Sequence, residues 1–286
     1  MPPRTSSQAS PASEPGQAER PAEGPAALGI DIGGTGVKAA LVELTTGNLL
    51  TRRIRVSTPK PSTPSAIAAA IAAVVGQLAT QRPLPVDLPV GCGVPGPIKD
   101  GRVMTAANID KGWVGQSAEE LLGEALGRRV YAINDADAAG LAEVRLGAGR
   151  DVPGTVLLLT IGTGIGSGLF VDGRLVPNTE FGHLEFHGRD AEARLSGVAR
   201  ERRGMRWRTW ARDFNEFLAR VELYFWPDLI ILGGGVSKEM ARYKDWLHTR
   251  APIVAARYLN TSGIIGAAMY AGERAAAAQP TEPPAS

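Results

Sequence analysis

The amino-acid sequence predicts two α/β lobes with a cleft between them. Strand patterns alternate with helix patterns in the first half of the chain, and the same plan returns in the second half. A glycine–threonine turn between two apolar strands occurs once in each half, at Thr35 and at Thr163. The length of 286 residues allows two lobes of ordinary size, each with its own core.

The elements of the first half follow from hydrophobic period and turn residues. Apolar runs bounded by glycine, asparagine and proline predict strands, and apolar residues at helical spacing predict helices. Ser117-Ala-Glu-Glu is a capping box, and it begins a helix that ends before Gly127. The predicted strands are 28–32, 37–43, 49–56, 90–94 and 130–133, and the predicted helices are 64–78, 117–126 and 136–146.

The second half repeats this order. Strands are predicted at 156–161, 168–171, 174–177 and 229–232, with helices at 207–225 and 263–274 and a further set after Gly233. In helix 207–225 the spacing of six side chains predicts a buried stripe rather than a base-stacking platform: Trp207, Trp210, Phe214, Phe217, Val221 and Tyr224. We predict a first lobe over 27–134, a second over 135–260, and a helix over 261–274 that packs back on the first.

Composition excludes several classes of protein. A net charge of +2 is too small to imply nucleic-acid binding, and no run of apolar residues is long enough to predict a membrane span. Cys92 is the only cysteine, so an internal disulfide and a multi-cysteine zinc site are both excluded, which is typical of the cytoplasm. Segments 1–26 and 275–286, rich in proline and alanine, are predicted to be disordered tails.

The two glycine–threonine turns predict anion binding. Glycine lets a backbone N–H approach a phosphate closely, and threonine adds a hydroxyl donor. Neither turn has the P-loop pattern, so a Walker-type site is excluded. The alternative is that the turns are only tight hairpins. The predicted phosphate contacts are Gly33, Gly34, Thr35, Gly36 and Lys38 in the first turn and Gly162, Thr163 and Gly164 in the second.

Two further features belong to this prediction. Asp31 precedes the first turn and is placed to hold Mg²⁺ directly or through water. The third glycine cluster, Gly233, Gly234 and Gly235, follows a buried strand and opens a helix, where unpaired N–H groups attract phosphate. A simple helix-entry turn is the alternative for this cluster.

Asn134 and Asp135 stand where a strand ends and a helix starts, the usual place of ligand contacts in open α/β sheets. A carboxylate there can accept the proton of an attacking hydroxyl, although Asp135 could instead be only a helix cap. Glu180 and His183 follow the strands of the second half, and Glu192 comes shortly after. These donors and acceptors suit the hydroxyls of a sugar. A metal site at His183, Glu185 and His187 is disfavoured because the zinc-protease spacing is absent.

Taken together, these motifs resemble the ROK sugar-kinase family, and within it the branch that uses polyphosphate. The resemblance covers residues 28–273 and lies in Asp31-Ile-Gly-Gly-Thr-Gly-Val-Lys38, Gly93-Val-Pro-Gly-Pro97, Ala107-Asn-Ile-Asp-Lys-Gly-Trp113, Asn134-Asp135, Gly162-Thr-Gly-Ile-Gly166, Glu180-Phe-Gly-His183, the segment from Trp226 to Lys238, and the segment from Thr261 to Ala268. It implies the actin-like, ribonuclease-H-like sugar kinase fold. The cysteine-rich zinc motif of most members is absent here.

The resemblance also implies roles for particular residues. Asp135 would be the catalytic base, and the glycine turns would hold the phosphoryl donor beside Mg²⁺. A homodimer is implied, with glucose as the acceptor and polyphosphate, ATP or both as donor. The glucose contacts implied by the matching motifs are Gly96, Asn108, Asn134, Asp135, Glu180, His183 and Glu192.

Two questions on function stay open at this stage. Seven arginines between 194 and 212 could form a track for a long polyanion, or they could be the solvated start of a helix. The kinase could instead depend strictly on ATP, with Gly233–Gly235 beside an adenine pocket. A non-catalytic sugar sensor is disfavoured, because both phosphate turns and the Asp135 carboxylate are present.

Overall fold

The structure, a computed structural model, describes residues 24–278. The predicted tails lie mostly outside the described residues. Where they overlap the description, the first strand already begins at Ala26 and the last helix runs to Ala277. Regular structure therefore extends into the inner ends of both predicted tails.

The first half of the described chain forms one five-stranded sheet, with strand order β3-β2-β1-β4-β7. Strand β2 is antiparallel to both of its neighbours, β1 and β3, and β4 and β7 continue from β1 in parallel. The elements are β1 (Ala26–Gly33), β2 (Gly36–Glu43), β3 (Ile54–Val56), α1 (Pro64–Gln81), β4 (Val90–Val94), β5 (Ile98–Lys99), β6 (Arg102–Val103), α2 (Ala118–Leu126) and β7 (Val130–Asn134).

The second half repeats this topology within the described residues, with strand order β10-β9-β8-β13-β14. The elements are α3 (Asp135–Leu146), β8 (Thr155–Ile161), β9 (Ile165–Val171), β10 (Arg174–Val176), β11 (Glu185–Phe186), β12 (Arg189–Asp190), α4 (Glu192–Leu195), α5 (Gly197–Arg202), α6 (Trp207–Phe225), β13 (Leu229–Gly233), α7 (Gly234–Ser237), β14 (Ile253–Ala255) and α8 (Ser262–Ala277). The two-lobed α/β fold is confirmed.

Helices α3 and α8 lie between the two sheets and contact each other along their length. The approach is close because glycines stand at the crossing points. A Cβ atom added there would come within 2.0 Å of a backbone oxygen: Gly29 against Ile264, Gly91 against Ala267, and Gly266 against Ala138. Because α3 and α8 lie between the two sheets, the point where the first lobe ends, predicted at residue 134, stays a prediction.

Helix α1 has the length and apolar composition of a membrane span, judged on the described residues alone. Its side chains Ile67, Ile71, Val74 and Leu78 are buried in the core of the first lobe. Thr63 caps its N-terminus by accepting the Ala66 N–H at 3.3 Å. These contacts are those of a core helix.

Two predicted elements differ from the structure. The strand predicted at 49–56 is regular only over Ile54–Val56, because the Thr51 hydroxyl replaces a backbone acceptor for Leu41 N–H and interrupts the ladder. The helix predicted to open at Gly233–Gly235 is the short α7, with separate 3₁₀ turns after it. The helix that opens at this cluster therefore has only four residues.

Candidate active site

A cavity of about 270 Å³ lies between the two sheets and receives side chains from both. Most of the predicted site residues line it. They are Asp31, Gly33, Gly34, Lys38, Gly96, Asn108, Asn134, Asp135, Gly162, Thr163, Gly164, Glu180, His183, Glu192 and Gly234. The fold therefore brings part of segment 31–38 and residues 162–164 into one site, as the paired turns predict.

Four predicted donor contacts, Thr35, Gly36, Gly233 and Gly235, do not line this cavity. Gly36 is buried beneath the Arg55 guanidinium, and the Thr35 carbonyl accepts a 2.8 Å hydrogen bond from Arg55 Nη2. Gly233 is buried at the end of β13, and Gly235 faces outward on α7. Successive residues of a turn face different directions, so only part of each glycine motif reaches the cavity.

The two glycine–threonine turns face each other across the cavity. A Cβ atom added at Gly34 would lie 3.9 Å from Thr163 Oγ1, in the opposite lobe. The Thr58 hydroxyl donates to the Gly33 carbonyl at 2.5 Å and fixes the first turn. The Gly162 N–H donates to the Gly164 carbonyl at 3.0 Å and fixes the second. A small anion between the turns would contact both lobes.

Asp31 lies at the end of the cavity beside the first turn. Its Oδ2 accepts a 2.8 Å hydrogen bond from Lys38 Nζ on the neighbouring strand. The first turn of α8 is close, because a Cβ atom at Gly263 would lie 3.1 Å from Asp31 Cγ. Mg²⁺ usually takes one or two carboxylates and completes its shell with water and phosphate, so this single carboxylate fits that ion.

Asn134 and Asp135 divide two tasks at the junction of β7 and α3. Asn134 is the helix cap, since its Oδ1 accepts the N–H groups of Ala136 and Asp137 at 2.9 and 3.0 Å. Asp135 follows at the first helical position and is partly open to the cavity. The alternative that Asp135 serves only as the cap is therefore wrong.

Enclosure changes the proton affinity of Asp135. Burial, followed by the negative charge of Asp31, raises the pKa of its carboxyl from 3.8 to about 7. The Ala136 N–H opposes this shift by donating to Asp135 Oδ1 at 2.9 Å. A base with a pKa near neutrality can both accept a proton and release it afterwards.

Glu180 and His183 form a polar group on the part of the cavity wall that the second half of the chain contributes. Asn134 Nδ2 donates to Glu180 Oε1 at 3.4 Å, and Glu180 Oε2 lies 3.7 Å from His183 Nε2. His183 Nδ1 lies 2.8 Å from Asp190 Oδ2, and this hydrogen bond is the main cause that raises the His183 pKa. Burial raises the pKa of Glu180, and the charge of His183 opposes that shift.

Glu192 ties the second turn to this wall. Its Oε2 accepts the Ile165 N–H at 3.1 Å. A Cβ atom at Gly164 would lie 2.3 Å from Glu192 Oε2 and 3.3 Å from Asn108 Nδ2. Asn108 comes from the first lobe and Glu192 from the second. Gly164 thus leaves space beside an amide and a carboxylate that come from different lobes.

Asn178 joins the two lobes next to the cavity, a contact that sequence reasoning missed. Its side chain accepts from Ile98 N–H at 2.8 Å and donates to the Ile98 carbonyl at 2.9 Å. The Asn178 N–H donates to Asp137 Oδ2 at 2.7 Å. Burial raises the pKa of Asp137 to about 7, and its Oδ1 has no hydrogen-bond partner in the described structure. Asn178 has a φ of 62°, a backbone conformation that asparagine tolerates.

Several cavity residues also escaped sequence reasoning. They are Pro95, Thr105, Ala107, Ala139, Thr160, Ile165, Gly166, Leu259, Asn260, Ser262 and Gly263. Thr160 could have been found, because it is the last but one residue of the strand that leads into the second turn. Segment 259–263 overlaps the motif from Thr261 to Ala268, but the sequence did not place it at the site, since it reaches the cavity only because α8 returns between the lobes.

The arginines between 194 and 212 do not line the cavity. Arg194 and Arg212 both pair with the buried carboxylate of Asp213, at 2.9 and 3.1 Å. Arg200 lies over the Trp207 ring at 4.0 Å and donates to the Met205 carbonyl. Much of this segment therefore holds its own fold together.

The aromatic stripe of α6 is buried as predicted from Trp207 to Val221, but Tyr224 is 70% exposed. The stripe continues instead through Phe225, whose ring lies 4.5 Å from that of Phe181. The step of four residues from Val221 to Phe225 follows the helical period more closely than the predicted step of three.

Metal-binding groups of three or more His, Cys, Asp or Glu residues are absent from residues 24–278. His187 pairs with Glu216 at 2.9 Å, away from His183 and Asp190. Cys92 is buried in β4, and burial raises its thiol pKa. The predicted absence of a zinc site stays a prediction.

Comparisons with known proteins agree with this geometry. The model of the ROK family matches residues 27–197. Polyphosphate glucokinase of Mycobacterium tuberculosis (strain CDC 1551 / Oshkosh) is 47% identical over 243 residues, which is 85% of this chain and 89% of the relative. The crystal structure of inorganic polyphosphate/ATP-glucomannokinase from Arthrobacter sp. strain KM is 49% identical with a TM-score of 0.85, over 87% of this chain and 99% of that one.

A more distant solved structure extends the likeness. The ROK family glucokinase from Streptomyces griseus, in complex with glucose and AMPPNP, is 27% identical with a TM-score of 0.73. The match covers 87% of this chain and 99% of that one. The two-lobed fold is thus common to chains of quite different sequence.

Proposed function

Because the chain belongs to the ROK family, we propose that it phosphorylates glucose to glucose 6-phosphate with inorganic polyphosphate as donor and with ATP as a second donor. The observation that supports this most is the apposition of the two glycine–threonine turns in one acid-lined cavity, where a Cβ atom added at Gly34 would lie 3.9 Å from Thr163 Oγ1. The chain is an enzyme, a polyphosphate–glucose phosphotransferase.

Asp135 is the general base of the proposed reaction. It accepts the proton of the glucose 6-hydroxyl as the oxygen attacks the terminal phosphorus, and the bond from that phosphorus to the bridging oxygen breaks. Phosphoryl transfer of this kind needs alignment and charge stabilisation more than covalent chemistry. The pKa of about 7 keeps a substantial fraction of Asp135 ionised at neutral pH.

The sugar is held by the polar wall around Asp135. Asn108, Asn134, Glu180, His183 and Glu192 offer both donors and acceptors, which the several hydroxyls of glucose require. The fixed orientation of His183 by Asp190 supports this role, because it directs Nε2 away from Asp190. Gly96, with a φ of 114°, forms the adjoining backbone.

The donor phosphate lies between the turns. Gly33, Gly34, Gly162, Thr163 and Gly164 surround its position, and Lys38 adds a positive charge. Phosphoryl transfer typically uses a divalent metal, and we propose Mg²⁺ held by Asp31. When bound, Mg²⁺ would neutralise charge on the transferred phosphoryl group.

Replacement of Asp135 tests this reading directly. A positioned base contributes about 10²–10⁴-fold to the rate, so Asp135→Asn should lower kcat by that factor. Glucose should still bind the variant, which isothermal titration can measure. A variant that retains near-normal kcat would remove Asp135 from the role of base.

The choice of donor needs a separate measurement. Glucose 6-phosphate formation is compared with ATP and with long-chain polyphosphate at equal phosphate concentration. Both donors should support turnover. Activity with ATP alone would identify a strictly ATP-dependent glucokinase and refute the polyphosphate proposal.

Assembly and compartment are also proposals. We infer a homodimer from the resemblance to the family, which sedimentation velocity can test. The single buried Cys92 is compatible with a reducing cytoplasm, where we expect the enzyme to act.

A further inference from the structure

A row of charged side chains crosses the first sheet from the cavity toward its edge. Asp31 on β1 is paired in register with Lys38 on β2, and Lys38 is paired with Arg55 on β3. Residues opposite each other on neighbouring strands project from the same face of a sheet. Arg55 is therefore the next cation after Lys38 along one face, at the outer strand.

Arg53 and Arg55 are attached to two sides of the cavity opening. Arg55 Nη2 donates to the Thr35 carbonyl at 2.8 Å, beside the cavity residue Gly34. Arg53 Nη1 donates to the carbonyl of Asn260 at 3.4 Å, and Asn260 also lines the cavity. Because side chains alternate along a strand, Arg55 faces outward while Ile54 and Val56 pack on the core, and Arg53, just before the strand, is also exposed.

The charge of these two arginines is not neutralised locally. Both are exposed, and the hydrogen bonds that the described residues offer them are to backbone carbonyls, with no carboxylate partner. Lys38, by contrast, is paired with Asp31. In the arginine-rich segment, Arg194 and Arg212 share the carboxylate of Asp213. Arg53 and Arg55 are thus better placed than the arginine-rich segment to bind an anion that extends out of the cavity.

We propose that Arg53 and Arg55 bind phosphates of inorganic polyphosphate beyond those that a triphosphate supplies. This rests on the proposed function and names where the distal part of the polymer runs. The terminal phosphate lies between Gly34 and Thr163. The chain then passes over Thr35 toward Arg55 and Arg53 at the edge of the sheet. A nucleoside triphosphate ends before this surface and does not use it.

The test compares the double variant Arg53→Gln/Arg55→Gln, called the β3 variant below, with the wild-type enzyme. Three donors are used: long-chain polyphosphate, tripolyphosphate and ATP. The KM for the long polymer should rise about tenfold, the product of a roughly threefold loss for each exposed charge contact. The KM values for ATP, tripolyphosphate and glucose should change less than about twofold. The logarithmic salt slope of polymer binding should fall by about 2, one for each contact removed.

Two control variants locate the effect. Arg52→Gln removes the same charge one residue away and should leave every KM unchanged. Arg202→Gln/Arg208→Gln removes two exposed charges from the arginine-rich segment. A polymer KM that rises in this second control and not in the β3 variant would overturn the proposal.

Two other results would also overturn it: an unchanged polymer KM in the β3 variant, or an equal rise for ATP and polymer. The wild-type donor comparison keeps this failure separate from failure of the proposed function. If the wild type uses polyphosphate and the β3 variant behaves identically, only the assignment of Arg53 and Arg55 is refuted.

Discussion

Replacement of Gly164 by alanine should separate sugar binding from donor binding. The added Cβ atom would lie 2.3 Å from Glu192 Oε2, and an ordinary contact between carbon and oxygen is about 1 Å longer. The carboxylate must therefore move by about that distance. The move breaks its 3.1 Å hydrogen bond with Ile165 N–H and displaces Asn108, whose Nδ2 would lie 3.3 Å from the new atom.

The magnitude follows from these contacts. A hydrogen bond to a charged group contributes about 1.5–3 kcal/mol, and a displacement of about 1 Å in a binding group can cost about 10²-fold. We expect kcat/KM for glucose to fall about 10–100-fold, mainly through KM. Gly164 also belongs to the donor turn, but the KM for the phosphoryl donor should change much less, because the added Cβ atom points toward Glu192 and Asn108 of the sugar wall.

The assay is steady-state kinetics with glucose varied at saturating donor, followed by donor varied at saturating glucose. Gly162→Ala is the matched control in the same turn, since a Cβ atom there has no neighbour within 4 Å in the described structure. It should leave the glucose KM within about twofold of wild type. Equal glucose KM values for the two variants would refute the assignment of Glu192 to the sugar wall.

Three further predictions concern charge and the contact between lobes. Because the pKa of Asp135 is raised to about 7 and the ionised form is the base, kcat should fall as the pH drops below about 7; a flat pH–rate profile between pH 5.5 and 8 would contradict this. Because the same pKa is raised in the folded state, ionised Asp135 destabilises the fold progressively from about pH 4 to 7 and fully above that range. Calorimetry should therefore show that Asp135→Asn raises Tm at pH 8 and leaves it unchanged at pH 4. A lower Tm at pH 8 would be evidence against this prediction. Asn178→Gly keeps the backbone conformation but removes both side-chain hydrogen bonds to Ile98. The free energy of unfolding in urea should fall by about 1–3 kcal/mol, and the KM for glucose should rise. An unchanged urea midpoint would show that the contact adds no stability.

The fold was largely predictable because each local signal agrees with the global topology. Ser117 caps helix α2 as expected, with its Oγ accepting the Glu120 N–H at 3.2 Å. Gly127 follows helix α2 in the left-handed conformation that ends helices. Helix 207–225 has the predicted bounds. Period and punctuation are short-range properties, so a single sequence contains them.

The site was predictable where a residue follows a strand or belongs to a glycine turn. Asp31, Asn134 and Asp135 are of this kind, and all three line the cavity. Asn178 was not predictable, because its partners Ile98 and Asp137 lie far away in sequence. Segment 259–263 reaches the cavity through tertiary packing alone. The fate of single turn residues such as Thr35 also depends on which way each peptide faces.

The crossing of α8 with β1, β4 and α3 limits how the molecule can move. The backbone is in direct contact with backbone at Gly29, Gly91 and Gly266, and no side chain lies between the two segments at these points. Sliding of one half past the other would force atoms into contact at each of these points, so shear is blocked. The motion that remains is rotation of the two lobes about this crossing. The size of the residues at these three positions sets how freely the lobes rotate.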